Sequence, residues 1–114
     1  MKKTYLRFLS LSHALDSSSA HLAQVDETAK HLLELIVLRH AQGQALTVTE
    51  TMAMSTVASP ATIHRKLDVL REAGLIQQVF VGRNRRTKYL EPTQEADTYF
   101  ANLGKAMAGA HKLA

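Results

Sequence analysis

Ser59-Pro60-Ala61-Thr62-Ile63-His64-Arg65-Lys66-Leu67-Asp68-Val69-Leu70-Arg71-Glu72-Ala73-Gly74-Leu75-Ile76, with Gly82-Arg83-Asn84-Arg85-Arg86-Thr87-Lys88 shortly after it, is the stretch that decides how this chain folds. Ser59 can accept from the unpartnered N–H groups of a helix start, and Pro60 stands at the first helical position, where a missing N–H costs nothing. Ile63, Leu67 and Leu70 then recur at i, i+4 and i+7 on one apolar face, with Ala61, Arg65 and Asp68 opposite and Thr62 and His64 on the flanks. Gly74 is placed to end this helix, which is predicted over 59–73. From Leu75 the pattern changes to a β-branched alternation as far as Val81, which predicts a strand. Gly82 to Arg86 is its turn, Thr87 to Leu90 the returning strand, and Pro92 ends the hairpin.

Working outward, Thr47 and Glu50 have the spacing of a capping box, which predicts a short helix over 48–54 followed by a turn at Ser55 to Ala58. Asp26 opens the clearest helix, about 26–42, with Arg39 and His40 suited to its negative end and Gly43 to its stop. Its run Leu32, Leu33, Leu35, Ile36, Val37, Leu38 predicts burial on most sides at the centre of the core. Tyr5, Phe8, Leu9, Leu11 and Leu15 mark an amphipathic helix over 4–15, and Asp16-Ser17-Ser18-Ser19 reads as the connection after it, since short polar side chains compete for backbone hydrogen bonds. Thr93 is placed to cap a last helix over 94–112, with a stripe of Ala96, Tyr99, Phe100, Leu103 and Met107. The order of elements predicts a mainly α fold with a small β-hairpin wing (α+β): a winged helix-turn-helix over 47–90, flanked by terminal helices, in one domain of 1–114.

The apolar share of 46% is that of a globular protein, and the 5% aromatic share with no Trp predicts an aliphatic core. Cys is absent, which excludes disulfides and thiolate metal sites. No apolar run approaches the roughly 20 residues of a membrane span, so a cytoplasmic protein without a membrane partner is expected. The net charge of +4 is unevenly spread: Ser59 to Leu90 holds seven basic and two acidic residues, a net of +5, and the remainder holds seven basic and eight acidic, a net of −1. An excess confined to one segment is the footprint of a face for polyanions.

Leu46-Thr47-Val48-Thr49-Glu50, Ser59-Pro60-Ala61-Thr62-Ile63, the run from Leu67 to Ile76, the tip Gly82 to Arg86 and Pro92-Thr93 together resemble the MarR-like winged-helix transcription regulators over roughly residues 26 to 100. The run ending Glu72-Ala73-Gly74-Leu75-Ile76 recurs across many winged-helix families and argues for the fold more than for one family. The resemblance implies a helix from Ser59 in the major groove, wing Arg residues at the flanking minor groove, and a homodimer built from both terminal helices. The segment from Glu50 to Ser59 reads as one residue longer than is usual in that family, and the last helix is short, which implies a smaller dimer interface.

The residues predicted to meet double-stranded DNA are Ser59, Ala61, Thr62, His64, Arg65 and Lys66 on the helix and Arg83, Asn84, Arg85, Arg86 and Lys88 on the wing (82–88). Short polar groups at a helix start allow close approach to bases and phosphates, and the wing cations lie in sequence beside no acid. The bland alternatives are a solvated amphipathic helix and a solvated charged turn. The residues predicted to dimerise are Tyr5, Phe8, Leu9, Leu11, Tyr99, Phe100, Leu103 and Met107, because together they exceed what a compact winged helix needs; the alternative folds them back on their own domain. The six His residues are scattered without an i, i+4 pair, so no metal and no cofactor is expected. The absence of a glycine-rich phosphate loop, a nucleophile elbow or clustered carboxylates argues against an enzyme. The expected function is a sequence-specific DNA-binding transcription regulator. Competing readings are a winged-helix module for protein or RNA, or a plasmid or phage accessory protein of replication or partition. A small-molecule effector is compatible with the sequence but not indicated by it.

Overall fold

The computed structural model describes residues 1–113, and the side chains of residues 1–112. In chain order these form α1 (Lys2–Ser18), a short 3-10 turn (Ala20–Leu22), α2 (Glu27–Ala41), α3 (Val48–Met52), α4 (Pro60–Glu72), β1 (Ile76–Val79), β2 (Tyr89–Pro92) and α5 (Gln94–Leu113). No helix among them is long and apolar enough to cross a membrane.

The caps fall where the side-chain chemistry places them. Asp26 accepts from the Ala29 N–H at 2.9 Å to start α2. Thr47 and Glu50 form a reciprocal capping box at α3, with Glu50 N–H to Thr47 Oγ1 at 3.0 Å and Thr47 N–H to Glu50 Oε1 at 2.9 Å. The helix they start is shorter than predicted, ending at Met52, after which tight turns carry the chain to Ser59.

The core is one aliphatic cluster. Ala29, Leu32, Leu33 and Ile36 of α2 meet Ile63, Leu67 and Leu70 of α4, with Leu46, Leu75, Ile76, Leu90 and Ala96 closing it. Each fully buried Leu or Ile contributes about 1.5–3 kcal/mol of transfer free energy. The expectation that α2 is buried on most sides is corrected: Leu35 and Val37 are half-buried and Leu38 is 54% exposed. α4 and β2 pack against α2, and the face bearing Leu38 stays in water.

The hairpin pairs Ile76 with Pro92 and Val79 with Tyr89. Its predicted limits shift. The returning strand begins at Tyr89, not Thr87, and includes Pro92 as its last residue, where a missing N–H costs no interior ladder bond. The cause is Asn84, whose Oδ1 accepts from the N–H of Arg86 at 2.9 Å and of Thr87 at 3.3 Å, turning those amides away from β1. The other edge of β2 is also occupied. Leu90 N–H donates to Leu46 at 2.8 Å, Val48 N–H donates to Lys88 at 3.1 Å, and Thr47 bridges Tyr89. The segment that caps α3 therefore also ties it to the wing.

At the start of the chain the predicted break at Asp16 does not occur, and α1 runs on to Ser18. Asp16 is held by Lys30 Nζ at 2.7 Å and by the Tyr99 hydroxyl at 2.6 Å, so its carboxylate does not compete for the backbone. Ser18 Oγ donates to the Leu15 carbonyl at 3.0 Å and stays within the helix. α1 and α5 pack along each other. Tyr99, predicted at a dimer interface, is 7% exposed and enclosed within the chain. Burial and then the Asp16 hydrogen bond push its phenol above its ordinary value. Phe100 meets Tyr99 edge-on at 5.1 Å between ring centroids and packs against the core cluster.

Candidate nucleic-acid interface

α4 is positioned by burial of Ile63, Leu67 and Leu70 on one face, which leaves its opposite face and first turn in solvent. Ser59 Oγ accepts from the Thr62 N–H at 3.3 Å and donates to Thr62 Oγ1 at 3.0 Å. Arg65 donates to the same Thr62 oxygen at 3.2 Å. Ser59, Thr62 and Arg65 thus form a connected row on the first turns, and the exposed Arg65 guanidinium carries further N–H donors beyond this bond. Ala61 and His64 are exposed beside them, and His64 Nδ1 lies 3.5 Å from Asp68, which also accepts from Arg71 at 2.9 Å.

Lys66 departs from the expectation. Its ammonium turns back to the carboxylate of Asp26, the residue that caps α2, and its side chain is largely covered. The Lys66 hydrogen bond, and then the Ala29 N–H, hold the Asp26 carboxyl below its ordinary value. Lys66 therefore belongs to the joint between α4 and α2 rather than to the outer face. Its position one residue after Arg65 gave it the same apparent role; only the packing of the two helices separates them.

The wing tip turns at Gly82, whose φ of +61° lies in the left-handed region that glycine adopts without a side-chain penalty. Arg83, Arg85, Arg86 and Lys88 are all exposed. Asn84 is exposed as well, but its side chain is spent on the turn: besides the two amides it accepts from, its amide donates to Thr87 Oγ1 at 3.1 Å. The Arg85 guanidinium sits 5.6 Å from the centroid of the Phe80 ring, a cation–π contact that the sequence reading did not include. The signal available was an aromatic residue immediately ahead of a basic tip. The wing base, Arg86 to Lys88, shares a shallow cleft with Thr47, Val48 and Thr49 at the start of α3.

Among the described residues, Arg65, Arg83, Arg85, Arg86 and Lys88 take part in no ion pair, whereas Lys30, Lys66 and Arg71 each do. The helix face and the wing thus gather five exposed cations without an acidic partner, while the others without one, Lys2, Lys3, Arg7, Arg39, Lys105 and Lys112, lie on α1, α2 and α5. On the terminal helices, Tyr5 (59% exposed), Leu11 and Met107 (58% exposed) stand in solvent, joined by Leu6, which the sequence reading omitted. Phe8, Leu9 and Leu103 are half-buried.

A capped helix, a tight turn, a second helix with an open polar face and a hairpin with a basic tip define the winged helix-turn-helix class. Among solved structures the chain is similar to a MarR-like transcriptional regulator from Thermotoga maritima, at a TM-score of 0.64 and 15% identity, over 95% of this chain and 75% of that one. It is also similar to the YusO protein from Bacillus subtilis, at a TM-score of 0.57 and 19% identity, over 97% of this chain and 70% of that one. No family model and no curated protein matches the sequence. The likeness establishes a MarR-like fold, terminal helices included.

Proposed function

We propose that the chain is a cytoplasmic, sequence-specific regulator of transcription that binds double-stranded DNA as a homodimer, with α4 in the major groove and the wing on the flanking minor groove or backbone. The observation that carries this is the segregation of charge: Arg65, Arg83, Arg85, Arg86 and Lys88 are exposed without an ion-pair partner among the described residues, within a segment, Ser59 to Leu90, of net +5 on a chain whose remainder is −1. Exposed guanidinium groups at a wing tip suit phosphate and narrow-groove contacts, while Ser59, Thr62 and Arg65 suit the donor and acceptor pattern of base edges. Sharing a fold with a MarR-like transcriptional regulator supports the same reading.

The dimer is supported by Tyr5, Leu6, Leu11 and Met107, large apolar side chains left in water along one helix pair. Two-fold symmetry implies an inverted repeat with paired half-sites. Selection of bound duplexes from a random pool tests the whole reading. An inverted repeat bound far above random DNA is the expected result, and a pool that stays random after repeated selection refutes it.

A further inference from the structure

The last turn of α4 is held from two distant parts of the chain. The carbonyl of Ala73, which follows the helix, faces His21 Nδ1 at 2.8 Å. A carbonyl only accepts, so this ring nitrogen carries the proton and donates. The next carbonyl, that of Gly74, accepts from Thr93 Oγ1 at 2.6 Å, and the same oxygen receives the Ala96 N–H at 3.2 Å as the cap of α5. Thr93 N–H donates to Leu75 at 3.1 Å. Gly74 has a φ of +76°, and the His21 ring stands 3.8 Å from where a Cβ would be, so the imidazole lies against the turn itself. Carbonyls at a helix end lack intrahelical partners and otherwise turn to water.

These partners come from the two elements that flank the terminal helix pair. His21 lies in the 3-10 turn directly after α1, and Thr93 directly precedes α5. This end of α4 is thereby tied to the segments that leave α1 and enter α5, while the buried Ile63, Leu67 and Leu70 and the Lys66–Asp26 pair hold its length to α2. The leverage is large. With 13 residues, α4 is about 20 Å long, so a tilt of about 10° at its C-terminal end moves its first turn by about 3 Å. That displacement is about one base-pair step along a strand, about 3.4 Å.

We propose that His21 is a positioning residue for DNA recognition: its hydrogen bond to Ala73 fixes the angle of α4 against the dimer-forming helices and so the half-site spacing that the dimer accepts. This rests on the DNA-binding, dimeric reading above. His21 is exposed and lies outside the apolar core, so its replacement leaves the fold in place.

The test uses the full chain, as parent, His21→Ala and His21→Gln, on the selected inverted repeat, on repeats with one base pair added or removed between the half-sites, and on a duplex with one half-site. The parent is expected to prefer its own spacing by roughly tenfold, as for a single misfit in a site. His21→Ala should lose most of that preference while its affinity for one half-site is unchanged. His21→Gln, whose amide can donate to the same carbonyl, should recover it. Hydrogen exchange supplies a readout independent of DNA: the amides of Gly74 and Leu75, bonded to Arg71 and Leu70, should exchange faster in His21→Ala while those of α2 do not change. A parent that binds DNA, with His21→Ala retaining its spacing preference, overturns the positioning role alone. A parent that binds no duplex overturns the DNA reading and the spacing role with it, even where exchange shows that the contact holds α4.

Discussion

Replacing Arg85 by Ala tests whether the wing meets phosphates or merely stays solvated. The wing offers four cations, Arg83, Arg85, Arg86 and Lys88, hence eight in a dimer. Each phosphate neutralised releases counterions, so eight contacts give a slope of log affinity against log salt of about −7. Between 50 and 200 mM salt, such a protein loses roughly 10⁴-fold in affinity. Arg85→Ala removes two contacts per dimer, reducing the slope to about −5 and the loss to roughly 10³-fold. Fluorescence anisotropy of a labelled duplex across this range measures both slopes, and random duplex should show the same reduction, since phosphates carry no sequence. The stacking of Arg85 on Phe80 supplies the competing explanation, in which the substitution only disturbs the wing. A drop in affinity at every salt concentration with the slope unchanged would show that Arg85 acts through packing and refute the phosphate contact.

Three further outcomes follow from the packing. Lys66→Met should leave sequence preference and salt slope unchanged, because its ammonium is engaged with Asp26, whereas Arg65→Ala should relax preference by about 1–3 kcal/mol at the base it reads; competition titrations with single-base variants separate the two. Tyr99→Phe should cost about 1.5–3 kcal/mol, as for a buried hydrogen bond to a charged group, measured by urea unfolding at pH 7; a change below about 0.5 kcal/mol would mean Asp16 is satisfied by Lys30 alone. Asp26 and Glu50 both titrate below their ordinary values, Asp26 through Lys66 and then Ala29, Glu50 through the Thr47 N–H and then its hydroxyl. Their stabilisation is therefore present above the unfolded carboxylate range and lost as pH falls through the folded values; urea unfolding from pH 6 to pH 3 should show a shallower decline for Asp26→Asn/Glu50→Gln than for the parent.

The parts of the fold that were legible in the sequence are those set by local chemistry. Asp26, Thr47 with Glu50, Ser59-Pro60 and Thr93 each start a helix through a hydrogen bond within three residues, and such bonds depend on little else. The apolar period of Ile63, Leu67 and Leu70 was equally reliable, since one face had to be buried. Misplaced features involve partners far along the chain. Asp16 reads as a helix breaker until Lys30 and Tyr99 claim it, and Leu46 to Val48 reads only as a helix start until β2 pairs with it. Leu38 sits in an unbroken apolar run, yet which face of α2 meets α4 and β2 is a tertiary fact.

The same distinction governs the candidate site. Position in sequence grouped Lys66 with Arg65 and Asn84 with Arg83, because side-chain type and proximity were the only criteria. Packing divides each pair. Lys66 holds α4 to the cap of α2, and Asn84 holds the wing turn closed, so each contributes order to a neighbour that contributes donors. A face for an extended polyanion needs both kinds, since a long Arg side chain loses less freedom on binding when its backbone and platform are already fixed. Arg85 on Phe80 and Arg65 on Thr62 are pre-arranged in this way, while Arg83, Arg86 and Lys88 have no side-chain partner among the described residues. On the proposed DNA-binding reading, the first two are therefore the cations expected to give geometric selectivity, and the other three to supply charge. Basic count alone could not make that separation, and it explains why Arg65 and Arg85, one on each element, are the substitutions most able to test the assignment.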